Sequence, residues 1–166
     1  GENKIQEAIE KWTKIKSKNK EIRLHMVGKL QTNKVKFVLP LFDFIHSLDN
    51  LKLAKKISEE QKKYQNKPKI FIQVNIGNEL QKSGIDKKKL SEFYNECINL
   101  GLDIVGTMCL PPIDKDQYIY FSQMEKINNT LKLQDLSMGM SEDYLKAVEH
   151  SSTYLRIGSK IFGSRT

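Results

Sequence analysis

A chain of 166 residues with 39% hydrophobic content is sized for one domain around one core. It holds no run of 18 apolar residues, which excludes a membrane-spanning helix, and residues 1–20 are amphipathic rather than the apolar core of a signal peptide. The formal charge of +8 is a lysine charge, arginine occurring only at Arg23, Arg156 and Arg165, and no recognition helix or zinc-finger spacing accompanies it.

The chain opens on an amphipathic helix with Ile5, Ala8, Ile9, Trp12 and Ile15 on one stripe. Residues 22–28 follow as a short strand interrupted by Arg23 and His25. Thr32 is placed to cap a helix carrying Val35, Phe37, Val38 and Leu39 until Pro40 stops it. Residues 42–48 form the next strand, and Asp49-Asn50 caps a helix over residues 51–65, with a turn at 66–68. The clearest strand is 69–76, built on Ile70, Phe71, Ile72, Val74 and Ile76. A polar loop over 77–84 leads to Asp86, which caps a helix that Gly101 ends.

Residues 102–108 are a strand, and Pro111-Pro112 close off the segment after it. A helix from Asp116 to about Leu131 buries Tyr120, Phe121, Met124 and Ile127. The strand at 135–137 is short, and the helix over 141–150 turns Leu145 and Val148 inward. Residues 153–157 are the last strand and 158–162 a final short helix.

Strands and helices alternate strictly, which argues for a parallel sheet with crossover helices, either a doubly wound open sheet or a (β/α)8 barrel. In both, functional groups gather at the C-terminal strand ends, where Gly28-Lys29, His46-Ser47, Asn75, Thr107, Ser137 and Gly158 lie. The rival motifs are absent: no GxxxxGK[ST], GxGxxG or HExxH, no nucleophile elbow, and no ligand spacing among His25, His46 and His150. Cys97 and Cys109 read as buried thiols of a reducing cytosol.

The two closing turns carry the sharpest signal. Ser141 and Gly158-Ser159 place hydroxyls and backbone N–H groups at neighbouring helix starts, with Arg156 on the strand between them. Unpaired N–H donors favour an anion there, so a phosphate-bearing cofactor is expected at these turns.

Seven blocks taken in order then resemble one family. They are Gly1-Glu2-Asn3, the segment from His25 to Lys34, His46-Ser47-Leu48-Asp49, Val74-Asn75-Ile76 with Lys82-Ser83-Gly84, Gly106-Thr107-Met108, the segment from Leu136 to Ser141, and that from Arg156 to Gly163. The pattern is similar to that of the pyridoxal phosphate homeostasis (YggS/PROSC) proteins, relatives of the alanine racemase N-terminal barrel. The resemblance implies an α/β (β/α)8 TIM barrel that binds pyridoxal 5′-phosphate (PLP) and acts as a carrier rather than an efficient catalyst. It assigns Ser141, Gly158 and Ser159 to the phosphate, with Ser137 in the same segment, and Arg156 to the pyridine nitrogen. It sets Asn3 and His25 near the cofactor ring and leaves Lys82 for a second phosphate or a carboxylate. Met138 and Met140 would pack around the pocket.

The same resemblance aligns the chain with strands three to eight of the barrel, as one domain over residues 1–166. The family's Schiff-base lysine is then expected on a strand preceding Gly1, and no lysine in the sequence takes its place. Related B6 vitamers as ligands, PLP-dependent apo-enzymes as recipients, a cytoplasmic location and a monomer at full length are implied as well. An amino-acid racemase using the same cofactor is the alternative, and a basic nucleic-acid-binding domain the third reading.

Overall fold

The computed structural model describes residues 1–64, 67–79 and 81–163. The turn expected at Asn66, the helix end expected at Gln65, and Leu80 of the 77–84 loop lie outside the described residues. In chain order the elements are α1 (Ile5–Lys18), β1 (His25–Met26), α2 (Val35–Val38), β2 (Phe44–Leu48), α3 (Leu51–Gln61), β3 (Lys69–Val74), α4 (Leu90–Asn99), β4 (Ile104–Cys109), α5 (Gln117–Thr130), β5 (Asp135–Met140), α6 (Tyr144–Glu149), β6 (Tyr154–Arg156) and α7 (Ser159–Phe162).

The six strands pair in parallel in the order β1-β2-β3-β4-β5-β6. Each strand lies beside its predecessor and the order never reverses, whereas a doubly wound sheet needs a reversal to put helices on both faces. Right-handed crossovers therefore carry the helices to one face, and the sheet curls as a half-barrel. The curl brings its edges together: the Tyr154 ring on β6 lies 5.7 Å from the His25 ring on β1.

Two apolar layers result. The larger lies between sheet and helices and includes Met26, Ile45, Ile70, Ile72, Leu136 and Met138 from the strands with Leu53, Ile57, Phe93, Phe121 and Met124 from the helices. The smaller, on the concave face, consists of Phe44, Phe71 and Met108, with Val105 and Tyr154 packed against them. Asn128 ties α5 to the sheet, its Oδ1 accepting from the Thr107 N–H at 3.2 Å and its amide donating to Leu133 O at 2.8 Å.

Two expected helix caps hold, Asn50 and Asp86 each accepting a backbone N–H through the side chain, and Asp116 caps α5 in the same way. Gly101 ends its helix at φ +71°, a conformation that costs glycine little.

Other expectations are corrected. The strand at 22–28 shrinks to His25–Met26, because the Leu24 N–H is taken by the Asp43 carboxylate at 2.7 Å instead of a ladder partner. Thr32 caps nothing through its side chain; it opens a 3-10 turn, Thr32–Lys34, that leads into α2. Phe37 and Ile15 lie 43% and 38% exposed, off the buried stripes of short α2 and of α1. β3 stops at Val74, since the Asn75 N–H turns aside to Ile85 O at 3.0 Å.

β5 runs on to Met140, so Ser141 begins no helix, and the turn after it is closed by Asp143 accepting the Met140 N–H. Leu145 and Val148 point outward and Ala147 inward. Gly139 explains the inversion: it sits at φ +92°, and a Cβ there would come within 2.6 Å of Ala147 Cβ. The helix docks backbone-close on a bare glycine, leaving room inward for alanine alone. Met138 is fully buried in the outer layer and Met140 is 38% exposed, so neither lines the concave face.

Candidate functional site

The chain leaves β5 at Met140 and β6 at Arg156, and the turns beyond them meet at Ser141. Ser141 is 6% exposed, and its Oγ accepts two backbone N–H groups, from Gly158 at 3.3 Å and from Lys160 at 3.2 Å. Serine thus serves the next unit's helix start instead of capping its own, and draws donors from α7 to one point. A Cβ built on Gly158 meets no heavy atom within 4 Å, so open space lies directly beside these donors. Ser159 is exposed at the start of α7, beside the same space. The structure thus brings Ser141 against Gly158, with Ser159 next in the chain.

Arg156, the last residue of β6, turns across the concave face. It donates to Ser137 Oγ at 2.7 Å and to Cys109 O at 2.8 Å. Enclosure lowers its guanidinium from the ordinary value, with Asp143 pulling the other way. From Ser137 the contacts continue: Ser137 Oγ lies 2.9 Å from His46 Nδ1, and His46 Nε2 lies 3.0 Å from His25 Nδ1. Strands β6, β5, β2 and β1 each contribute one polar side chain to this line.

Each ring rests on an apolar partner. His25 stacks on Phe44 at 4.1 Å and His46 on Phe71 at 4.3 Å, while Tyr154 tilts against both. Burial is the main reason that His46 drops to about 3 and His25 to about 4, with Arg156 and His25 also disfavouring charge on His46. Both rings are neutral at physiological pH. Burial also pushes the Cys97 and Cys109 thiols up to about 12, which makes them weak nucleophiles.

Asn3 and Lys82 fall into a separate cavity of about 370 Å³, lined also by Gly28, Gln73, Asn75 and Leu110. Gly28 is required there, since a Cβ would lie 2.0 Å from Asn3 O. Lys82 is paired with Glu79 at 2.7 Å. These two residues are not brought against the Ser141 turn. Among the described residues no group of three or more His, Cys, Asp or Glu is placed to hold a metal ion, and no helix is long and apolar enough to cross a membrane.

Sequence reasoning missed His46 as a site residue, along with the carbonyl of Cys109 and the N–H of Lys160. The signal for His46 was present in the period-two alternation of β2, where Phe44 and His46 share one face with His25 of β1 beside them. Backbone donors and acceptors carry no residue-type signature.

Known proteins share this chain's sequence pattern and fold. The family model "Alanine racemase, N-terminal domain" matches residues 1–166. The pyridoxal phosphate homeostasis protein of Aquifex aeolicus (strain VF5) is 34% identical over 99% of this chain and 76% of its own length. That of Pasteurella multocida (strain Pm70) is 36% identical over the same shares. The structure of PipY of Synechococcus elongatus PCC7942 with PLP bound superposes with a TM-score of 0.89 at 31% identity, over 98% of this chain and 80% of that one. An alanine racemase of Clostridium difficile 630 shares the fold at a TM-score of 0.72 and 15% identity, over 98% of this chain and 44% of that one.

Proposed function

The chain belongs to the pyridoxal phosphate homeostasis proteins within the alanine racemase N-terminal domain family, and we propose that it binds PLP as a carrier rather than as an efficient catalyst. The observation that brings this to particular residues is the Ser141 turn. Two N–H groups converge on one buried hydroxyl beside open space, two residues beyond an inward-facing arginine. A phosphate suits such a donor set because it is a dense acceptor with negative charge. Ser141, Gly158 and Ser159 would hold the phosphate. Arg156 would meet the ring nitrogen, with Ser137 behind it and His25 beside the ring. Asn3 and Lys82 would stand at the mouth, Lys82 for a second phosphate or a carboxylate.

Bound PLP supplies an aldehyde that captures amines and a ring that takes up electron density. Arg156 donates hydrogen bonds but holds its protons too tightly to transfer one, so a nitrogen facing it stays unprotonated and the ring is a weaker electron sink. That suits holding and release better than turnover.

The six strands are read as strands three to eight of a (β/α)8 barrel, one domain over residues 1–166. The unreversed strand order and the approach of Tyr154 to His25 support this. Other B6 vitamers as ligands, apo-enzymes that use PLP as recipients, a cytoplasmic location and a monomeric state belong to the same reading. Gly158→Val tests it, because the new side chain meets no protein atom near its Cβ yet fills the space beside the donors. The melting temperature is expected to hold while PLP affinity falls at least about tenfold, the scale of charge-assisted hydrogen bonds. Unchanged affinity would remove the phosphate from this turn.

A further inference from the structure

Arg156, Ser137, His46 and His25 form a continuous line of contacts, at 2.7, 2.9 and 3.0 Å, with Ser137 and His46 only 0% and 1% exposed. In such a buried line the hydrogens decide which way it runs. Arg156 can only donate, so Ser137 Oγ accepts from it. If Ser137 also accepted from His46, its own proton would face no acceptor among the described residues, a buried loss of about 1–3 kcal/mol. If Ser137 instead donates to His46 Nδ1, then His46 carries its proton on Nε2 and donates to His25 Nδ1. His25 in turn carries its proton on Nε2, on a ring that is only half-buried. Every hydrogen between Arg156 and His25 is then used, and the His25 Nε2–H remains as an outlet.

We propose that this is a one-way relay in which Ser137 and His46 are positioning residues for Arg156, and which fixes both histidines as the Nε2–H tautomer. Ser137 presents a lone pair to the guanidinium because its proton is committed to His46. Cys109 O holds the other arm of the fork at 2.8 Å. Two acceptors in fixed directions leave the remaining Arg156 donors in fixed directions too. The specificity this confers is for a ring atom that accepts, so an aromatic nitrogen is selected in its unprotonated form. The role of that atom rests on the PLP reading above; the polarity of the relay does not.

Protonating His46 would reverse the central contact. Its Nδ1 would become a donor, Ser137 would lose its acceptor, and a second positive charge would stand near Arg156. The charged and titratable groups facing the pair are Arg156, which disfavours that charge, Asp43, which favours charge on His25, and the Tyr154 ring. On this geometry the relay persists well below neutral pH.

Imidazole 15N NMR on the chain without added ligand reads the tautomers directly. The three histidine signals are assigned by single His→Gln substitutions. Both His25 and His46 are expected to show a protonated Nε2 and a bare Nδ1 from pH 8 to pH 5. A protonated Nδ1 on either ring, or titration of His46 near pH 6.5, would overturn the relay whether or not PLP binds. Ser137→Ala supplies the functional arm. PLP affinity is expected to fall about fivefold, with affinity for inorganic phosphate, used as a probe of the Ser141 turn, unchanged. An equal loss of both would reduce Ser137 to a structural role and overturn the positioning claim. Correct tautomers in a chain that binds no PLP would uphold the relay's polarity and reject the cofactor reading instead.

Discussion

Ser141 shows how a residue's type can be legible while its partner is not. Serine before a helical segment reads as a cap, yet its hydroxyl gathers the N–H groups of Gly158 and Lys160, seventeen and nineteen positions away. Arg156 stood out in the sequence because arginine is scarce, and it does face the concave side, held by Ser137 and Cys109 O. His46 was placed at a strand end but given no role at the site, because a lone histidine among apolar residues has no spacing to mark it. It has a measurable consequence. Unfolded His46 takes a proton near 6.5 and the folded ring only at about 3, so between these values the unfolded state binds more protons. Stability is therefore expected to fall as pH drops below 6.5, by about 1.4 kcal/mol per pH unit from this ring. Urea unfolding across pH 7 to 5 checks it, with His46→Gln flattening the slope. The thiols give a second check: Cys97 and Cys109, both buried, are expected to resist alkylation until the chain unfolds.

At the scale of elements, alternation and turn residues located the strands and helices, and the side-chain caps at Asn50 and Asp86 fell where the sequence put them. What periodicity could not say was which face of α6 is inward. The larger apolar residues, Leu145 and Val148, were the natural candidates, but Gly139 lets the helix so close that only Ala147 fits. The approach of two backbones decides that, and no single helix encodes it. Gly106 is the same kind of joint inside the sheet: a Cβ would stand 1.9 Å from Asp135 O on the neighbouring strand and 2.8 Å from the Phe71 ring. Gly106→Ala is expected to cost about 2–3 kcal/mol by forcing β4 and β5 apart. The shift of the urea midpoint measures this, and a change under 0.5 kcal/mol, the ordinary range of surface substitutions, would show that the strands have slack.

For the whole molecule, composition and alternation left an open sheet and a barrel unresolved, because both repeat the same β-α unit. The difference lies in strand order, a long-range property, and the sequential order of β1 to β6 rules out the doubly wound sheet and gives a parallel half-barrel. The curl that follows puts one polar line and one aromatic cluster on the inside and brings the two final turns together at one end. Those turns are the centre of the proposal, and phosphate dependence is their signature. Isothermal titration of the chain with PLP, with pyridoxal, which lacks the phosphate, and with PLP in competing inorganic phosphate tests this most directly. PLP is expected to bind one to one, pyridoxal at least about tenfold more weakly, and inorganic phosphate to displace PLP. Equal affinity for PLP and pyridoxal, or indifference to phosphate, would contradict a phosphate cup at Ser141 and Gly158.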